Sequence, residues 1–293
     1  MTERRMLLVA HTGRGDIAVT AGAAAAKLKA AGIELLALAG ESGELDLAVF
    51  DPTDTAAGPI EIVLAIGGDG TLLRAAEHAR PLSAPVLGIN LGRVGFLTEV
   101  DLHQMDQALD SVIGLRYRVS SRMTVEVTVE HDGVLVAAGW ALNEISVEKG
   151  TRERILDVVV EVDGHGVSAY GCDGVLCATP TGSTAYTFSA GGPVLWPGVD
   201  ALLVVPSNAH ALFARALVVS PESAVTVHID PAGPSAVLAC DGRRIHEIPP
   251  GSRIHVCKGA KPVTLVRLND QTFTDRLVRK FKLPVHGWRD QRH

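Results

Sequence analysis

Over its first 118 residues the chain alternates short apolar runs with Ala- and Leu-rich stretches of helical length, and this alternation narrows its fold more than any other feature. Repeated in this way, the pattern describes a parallel sheet wrapped by helices. It predicts strands at 6–10, 33–38, 61–66 and 86–89, with helices over 16–31 and from 71 to about 78. Such sheets bind ligands beyond the carboxyl ends of their strands, and that is where this segment keeps its glycines.

After residue 118 the period changes. Met123, Val125, Val127 and Val129 alternate with Arg122, Thr124, Glu126, Thr128 and Glu130, a two-residue rhythm that fits a half-buried strand. His131-Asp132-Gly133 turns the chain into another strand, and short strands at 155–162, 174–179, 224–229, 236–240 and 262–268 follow, separated by Gly, Pro and Asp. The expected fold class is an α/β N-terminal domain with a doubly wound, mostly parallel sheet over 1–118, then a β-rich domain over 119–270. A closing helix lies in 271–293, with Leu277, Val278 and Phe281 on one face, Arg276, Arg279 and Lys280 elsewhere, and Pro284 as its stop.

Composition excludes several classes. A chain of 293 residues that is 47% apolar can bury a full core, and a formal charge of -6 leaves no basic excess for a nucleic-acid partner. Cys172, Cys177, Cys240 and Cys257 form no C-x-x-C pair and none sits at zinc spacing, so they read as reduced core residues of a cytosolic protein. The first apolar run is too short for a signal peptide and the later ones too short to span a bilayer, which predicts a cytoplasmic protein with no membrane partner.

Four segments carry candidate chemistry. Gly13-Arg14-Gly15-Asp16-Ile17-Ala18 matches G-x-G-x-x-A between a strand and a helix, so a dinucleotide fingerprint and a plain strand–helix turn both remain open. Glu34, the acidic residue a ribose would need, lies at the start of the second strand rather than its end. Gly67-Gly68-Asp69-Gly70-Thr71 sits between the strand IEIVLAI and the helix TLLRAAEHA. Its glycines free consecutive N–H groups, and the helix start adds roughly half a positive charge, so Gly67, Gly68, Gly70 and Thr71 form a phosphate-binding set. A carboxylate inside a phosphate cradle is repelled unless it binds a metal or accepts a proton, which makes Asp69 a catalytic candidate; the bland alternative is that Asp69 or Thr71 caps the helix. Arg74 is the nearest cation. The loop lacks G-x-x-x-x-G-K-[ST] and is no Walker cradle.

The third segment, Thr179-Pro180-Thr181-Gly182-Ser183-Thr184-Ala185-Tyr186, releases several hydroxyls after the apolar strand GVLCA and runs into Ser189-Ala190-Gly191-Gly192-Pro193. It has no G-x-S-x-G elbow for a nucleophilic serine. The fourth is Asn143-Glu144 inside WALNEISVE, read as one strand, where neighbouring side chains point to opposite faces and at least one polar group is buried. Lys149, Arg152 and Arg154 follow as either a solvated basic stretch or phosphate contacts, and Asp173 is either a turn residue or a ligand contact.

In this order and at these distances the four segments resemble the NAD kinase family, and the resemblance runs from the first strand to the C-terminal strands. GGDGT alone is shared with phosphofructokinases and with diacylglycerol and sphingosine kinases; NLGRVGFLTE, LNE and TPTGSTAYTFSAGGP are what look like NAD kinase in particular. The resemblance implies a two-domain NAD kinase-like fold, a last segment that returns to the first domain, and homodimers or homotetramers. It implies phosphorylation of the 2'-hydroxyl of the adenosine ribose of NAD by ATP or polyphosphate, with Mg2+ or another divalent cation arriving with the donor. A lipid or sugar kinase sharing GGDGT is the alternative. By the same carry-over Asp69 is the catalytic base and Asp69 and Gly70 touch NAD. Arg74, Asn143, Glu144, Arg154, Asp173, Thr184, Ala185, Tyr186, Thr187, Phe188 and Ser189 then line the NAD site. Arg243 stands where some relatives place glutamine after Asp-Gly, which leaves that contact open.

Overall fold

The computed structural model describes residues 4–10, 15–54, 58–92, 95–150, 155–211, 214–268 and 271–285. The chain divides into two compact units, one formed by Met1–Ser121 with Val263–His293 and the other by Arg122–Pro262.

The first unit is built on an eight-stranded sheet. In spatial order it runs Ala48–Val49, Glu34–Ala37, Arg5–Ala10, Ile62–Gly67, Val86–Asn90, Val263–Arg267 and Arg118–Arg122, with Val100–Asp101 also pairing Val86–Asn90. The five strands from Ala48–Val49 to Val86–Asn90 are joined in parallel. Arg5–Ala10, Ile62–Gly67 and Val86–Asn90 are buried along their whole length, which explains why they read as unbroken apolar runs. The helices Gly15–Ala30, Asp69–Leu82 and Met105–Ile113 complete the wrapping predicted from the alternation. Asp69–Leu82 buries Leu72, Leu73, Ala75, Ala76 and Ala79, a helical stripe whose small residues let it lie close to the sheet.

One strand departs from the sequence reading. Val263–Arg267 pairs in parallel with Val86–Asn90 and so belongs to the α/β unit, not with the β-rich segment in which its apolar alternation placed it. Pattern reports that a stretch is a strand; its partner is chosen by tertiary contacts that one sequence does not display.

The second unit holds two six-stranded antiparallel sheets. One runs Leu217–Val219, Leu202–Ser207, Gly174–Ala178, Glu144–Lys149, Ala236–Cys240, Arg244–Ile248; the other runs His165–Cys172, Leu156–Val162, Val225–Ile229, Arg253–Lys258, Val125–His131, Val134–Ala141. Side chains of both, among them Val127, Val129, Val158, Val227, Ile145, Val175 and Leu238, share one buried cluster. Cys172, Cys177 and Cys240 are thiols inside this unit as expected, whereas Cys257 is exposed, because it lies on the outward side of its strand.

The core of the first unit sets its stability. Leu8, fully buried in the central strand, gives the check: Leu8→Ala is expected to cost about 2–5 kcal/mol, read as a shift in the urea midpoint without a change of slope.

Candidate active site

The strand Ile62–Gly67 ends at the first glycine of GGDGT, and the helix that follows is capped by Gly68. No side chain caps it, so neither Asp69 nor Thr71 takes the capping role that the sequence left open. The Gly68 carbonyl accepts from the N–H of Thr71 at 3.0 Å and of Leu72 at 3.1 Å. Asp69 and Gly70 contribute N–H groups of the first turn, for which a helix has no acceptor of its own, and the helix dipole favours an anion there. Helix starts of this kind suit a phosphate oxygen.

The Asp69 carboxylate is held from a neighbouring loop. Its Oδ2 accepts from the backbone N–H of Phe96 at 3.0 Å and its Oδ1 from that of Leu97 at 3.1 Å. Gly95 opens this loop, and a Cβ there would overlap Asp69 Oδ1, so only glycine lets the carboxylate sit against the chain. Both oxygens retain lone-pair capacity for a further donor. GFLT was singled out only by family resemblance; nothing in its composition announces that its amides grip an aspartate.

Arg74 lies one turn into the helix and is committed to the scaffold. Its guanidinium donates to the Ala10 carbonyl at 2.9 Å and to the buried Glu41 carboxylate, which in turn accepts from Ala10 N–H at 2.9 Å. Glu41 was not singled out in the sequence, since a lone acidic residue among Gly and Ser reads as loop surface. The Gly13-Arg14 half of the G-x-G-x-x-A match lies outside the described residues. Glu34 pairs with Arg5 at 2.6 Å, so its carboxylate is engaged at the start of its strand.

In the second unit, Asn143 and Glu144 lie at a corner, not within one strand. The strand Val134–Ala141 belongs to one antiparallel sheet and Glu144–Lys149 to the other, and the chain crosses at Leu142 and Asn143. Asp241 makes the corner: its carboxylate accepts from Leu142 N–H at 3.0 Å and Asn143 N–H at 2.7 Å, and Arg244 pairs with it at 2.7 Å. Thr179 closes the other side, donating to the Leu142 carbonyl at 2.6 Å and accepting from Gly182 N–H at 3.1 Å. Gly182 touches the Asn143 carbonyl so closely that a Cβ would overlap it.

This corner presents two side-chain oxygens without a partner among the described residues. Asn143 and Glu144 are 7% and 6% exposed, and Asn143 Oδ1 and Glu144 Oε2 are buried without a hydrogen-bond partner among the described residues. Burial pushes the Glu144 carboxyl up to about 8, the nearby Asp241 charge adds to the shift, and a bond from the Tyr186 N–H opposes it. Buried polar atoms of this kind need a partner, and a ligand with hydroxyl or amide groups supplies one.

The segment 184–189 divides by side chain. Thr187 is buried and donates to the Gly182 carbonyl at 2.7 Å, and Thr184 donates to the Thr181 carbonyl at 3.3 Å, so both hydroxyls serve the turn. Tyr186, Phe188 and Ser189 are exposed and Ala185 is half-buried. Asp173 pairs with Lys149 at 2.6 Å and accepts from Asn208 at 2.8 Å, contacts that hold its carboxyl below the usual range. Lys149 is therefore partly neutralised. Arg152 and Arg154 lie outside the described residues, and Arg243 is exposed on the turn after Asp241.

No group of three or more His, Cys, Asp or Glu is placed to hold a metal among the described residues. The donor set of the GGDGT loop is one carboxylate beside the N–H groups of a helix start. That chemistry suits a divalent cation brought in on phosphates rather than one caged by protein.

Comparison with known proteins finds two family models, one in each half of the chain. The family model of the ATP-NAD kinase N-terminal domain matches residues 51–117, and that of the ATP-NAD kinase C-terminal domain matches residues 142–268. An NAD kinase of Nocardia farcinica is 53% identical over 99% of this chain and 95% of its own length, and one of Mycobacterium tuberculosis is 52% identical over 98% of both. Among solved structures, an NAD kinase from Archaeoglobus fulgidus in complex with ATP superposes with a TM-score of 0.72 at 26% identity, covering 96% of this chain and 99% of that one. Yeast NADH kinase complexed with NADH shares the fold, with a TM-score of 0.86 at 21% identity over 98% of this chain and 90% of that one.

The raised Glu144 carboxyl has a consequence for stability. Its pKa is higher in the folded than in the unfolded chain, so the folded state keeps a proton that the unfolded state releases, and stability falls as pH rises from about 5 to about 8. The loss is on the order of a few kcal/mol. Glu144→Gln, which stays neutral, is expected to flatten this part of the profile in urea unfolding of the ligand-free protein.

Proposed function

Because the chain belongs to the NAD kinase family, and is on that ground a phosphotransferase that acts on NAD, we propose that Asp69 is its catalytic base. In this reading the 2'-hydroxyl of the adenosine ribose attacks the terminal phosphoryl group of ATP in line. The lipid- or sugar-kinase reading that GGDGT alone leaves open is not favoured, since both family models and the relatives named above are NAD kinases.

The observation that carries the proposal is the position of the Asp69 carboxylate: it begins a helix whose first amides have no acceptor within the helix, and two backbone N–H groups fix both of its oxygens. A ribose hydroxyl is a poor nucleophile at neutral pH. Asp69 orients it and accepts its proton as the new O–P bond forms, while the bond to the leaving diphosphate breaks. Such a base contributes about 10^2- to 10^4-fold. The amides of Asp69 and Gly70, with Gly67 and Gly68 leaving the approach clear of side chains, carry the charge on the transferring group. A divalent cation, Mg2+ by expectation, supplies further neutralisation when it arrives with the donor. The acceptor is held by the corner at Asn143 and Glu144, whose unpaired oxygens suit its hydroxyl and amide groups, and by the exposed Tyr186, Phe188 and Ser189. Arg74 acts through Glu41 to hold the loop side of the sheet.

Polyphosphate as a second donor, homodimers or homotetramers, and a cytoplasmic location are further parts of the proposal, resting on family resemblance. No helix among the described residues is long and apolar enough to cross a membrane.

Incubation with NAD, ATP and Mg2+, followed through an NADP-specific dehydrogenase, tests the reading. Asp69→Asn is expected to keep NAD binding and to lower turnover by about a hundredfold or more. Near-normal turnover in that variant would remove Asp69 from the base role.

A further inference from the structure

The closing helix, Phe273–Phe281, buries a charge where the sequence pattern expects an apolar face. Arg276 is 6% exposed, whereas Leu277, Val278 and Phe281 are only half-buried. A capping box between Thr272 and Asp275 starts the helix and fixes its first turn, in which Arg276 lies. The position of this guanidinium is therefore set by local structure as well as by its partners.

Those partners all belong to the loop that grips Asp69. Arg276 Nη1 donates to the carbonyl of Phe96 at 3.1 Å and to that of Thr98 at 2.8 Å, and Nη2 donates to Glu99 at 2.8 Å. The Phe96 ring rests between two rings of the same helix, with centroids 5.8 Å from Phe273 and 5.7 Å from Phe281. Phe96 and Leu97 in turn give their N–H groups to the two oxygens of Asp69. Beside the loop lies a cleft of about 380 Å³, lined by Gly95, Thr98, Glu99, Arg276 and Arg279 among others, so on that side packed side chains do not hold the loop. The fork of Arg276 does.

We propose that Arg276 is a positioning residue for phosphoryl transfer: by fixing the carbonyls of Phe96 and Thr98, it sets the two amides that aim the Asp69 carboxylate. The proposal rests on the base role of Asp69. A guanidinium suits the task, because its planar donors span two carbonyls and a carboxylate at once, which an ammonium on a flexible stem cannot do. A displacement of about 1 Å at a reacting group can cost about a hundredfold in rate, so a loop freed on one side registers in turnover before it registers in substrate binding.

The test is a double-mutant cycle on the purified full chain: wild type, Asp69→Asn, Arg276→Ala and the double variant, each measured for kcat and for KM of NAD. Arg276→Ala is expected to lower kcat by about tenfold or more, to leave KM within about twofold, and to have little further effect in the Asp69→Asn background. Arg276→Lys, which keeps a cation beside Glu99, is expected to restore the melting temperature but not kcat, and it carries the test if the alanine variant fails to fold. Arg279→Ala, which removes a neighbouring surface pair with Asp101, is expected to leave kcat unchanged. An inactive Asp69→Asn together with normal kcat in the Arg276 variants would overturn the positioning role alone, as would losses that multiply in the double variant. A normal kcat in Asp69→Asn would overturn the base role and this proposal with it.

Discussion

A single carboxylate, Glu99, sits between two guanidiniums and ties three separate parts of the chain together. Its Oε2 accepts from Arg267 at 2.6 Å and from Arg276 at 2.8 Å, and its Oε1 accepts from the Leu268 N–H at 2.9 Å. Burial alone would push this carboxyl up; the two guanidiniums, Arg267 foremost, and the Leu268 amide outweigh it and hold the group below its usual range. The strand Val263–Arg267, the loop at 95–99 and the helix Phe273–Phe281 thus meet at one buried charge. Taking away Glu99 would leave two guanidiniums facing each other without their shared carboxylate, a loss of the kind that costs about 3–5 kcal/mol. The loop these charges fix is the loop that holds Asp69.

How much of this could be read in advance depends on whether the signal is local. Arg5–Ala10, Ile62–Gly67 and Val86–Asn90 were legible because strands buried on both faces must be apolar throughout. The GGDGT loop was legible because glycine followed by a helix start has few other uses. The strands Leu217–Val219 and Arg244–Ile248 were not, since their patterns are short and mixed, and each takes its shape from neighbours distant in sequence. The corner at Asn143 was read as continuous strand for the same reason. It is bent by Asp241, 98 residues further on.

The candidate site residues divide along the same line. Asp69, Asn143 and Glu144 could be picked out by type: a carboxylate in an anion-binding loop, and two polar side chains in an apolar run. Glu41, Asp241, Glu99 and Arg276 could not, because each does its work through a partner that only the fold supplies. The clearest case is Arg276, placed by periodicity away from the apolar face of its helix yet buried more deeply than the apolar residues beside it. Helical pattern reports where an apolar face would lie if the partner surface were apolar. Here that surface presents carbonyl oxygens and a carboxylate, and a guanidinium is the side chain that satisfies it.

Two carboxylates, the half-buried Asp69 and the buried Glu144, then stand in contrasting environments, and the contrast suits two tasks. Asp69 receives an amide on each oxygen and keeps capacity for one more donor, which is what a group that orients and deprotonates a hydroxyl requires. Glu144 has an oxygen without a partner and a carboxyl raised to about 8, so near neutral pH it holds its proton and presents one donor and one acceptor to a ligand. A neutral acid can bind hydroxyls without repelling the phosphates of a dinucleotide, whereas a second ionised carboxylate would oppose them. Burial at the corner made by Asp241 and Thr179 is what keeps Glu144 in that form, so the fold of the second unit decides the charge this corner presents.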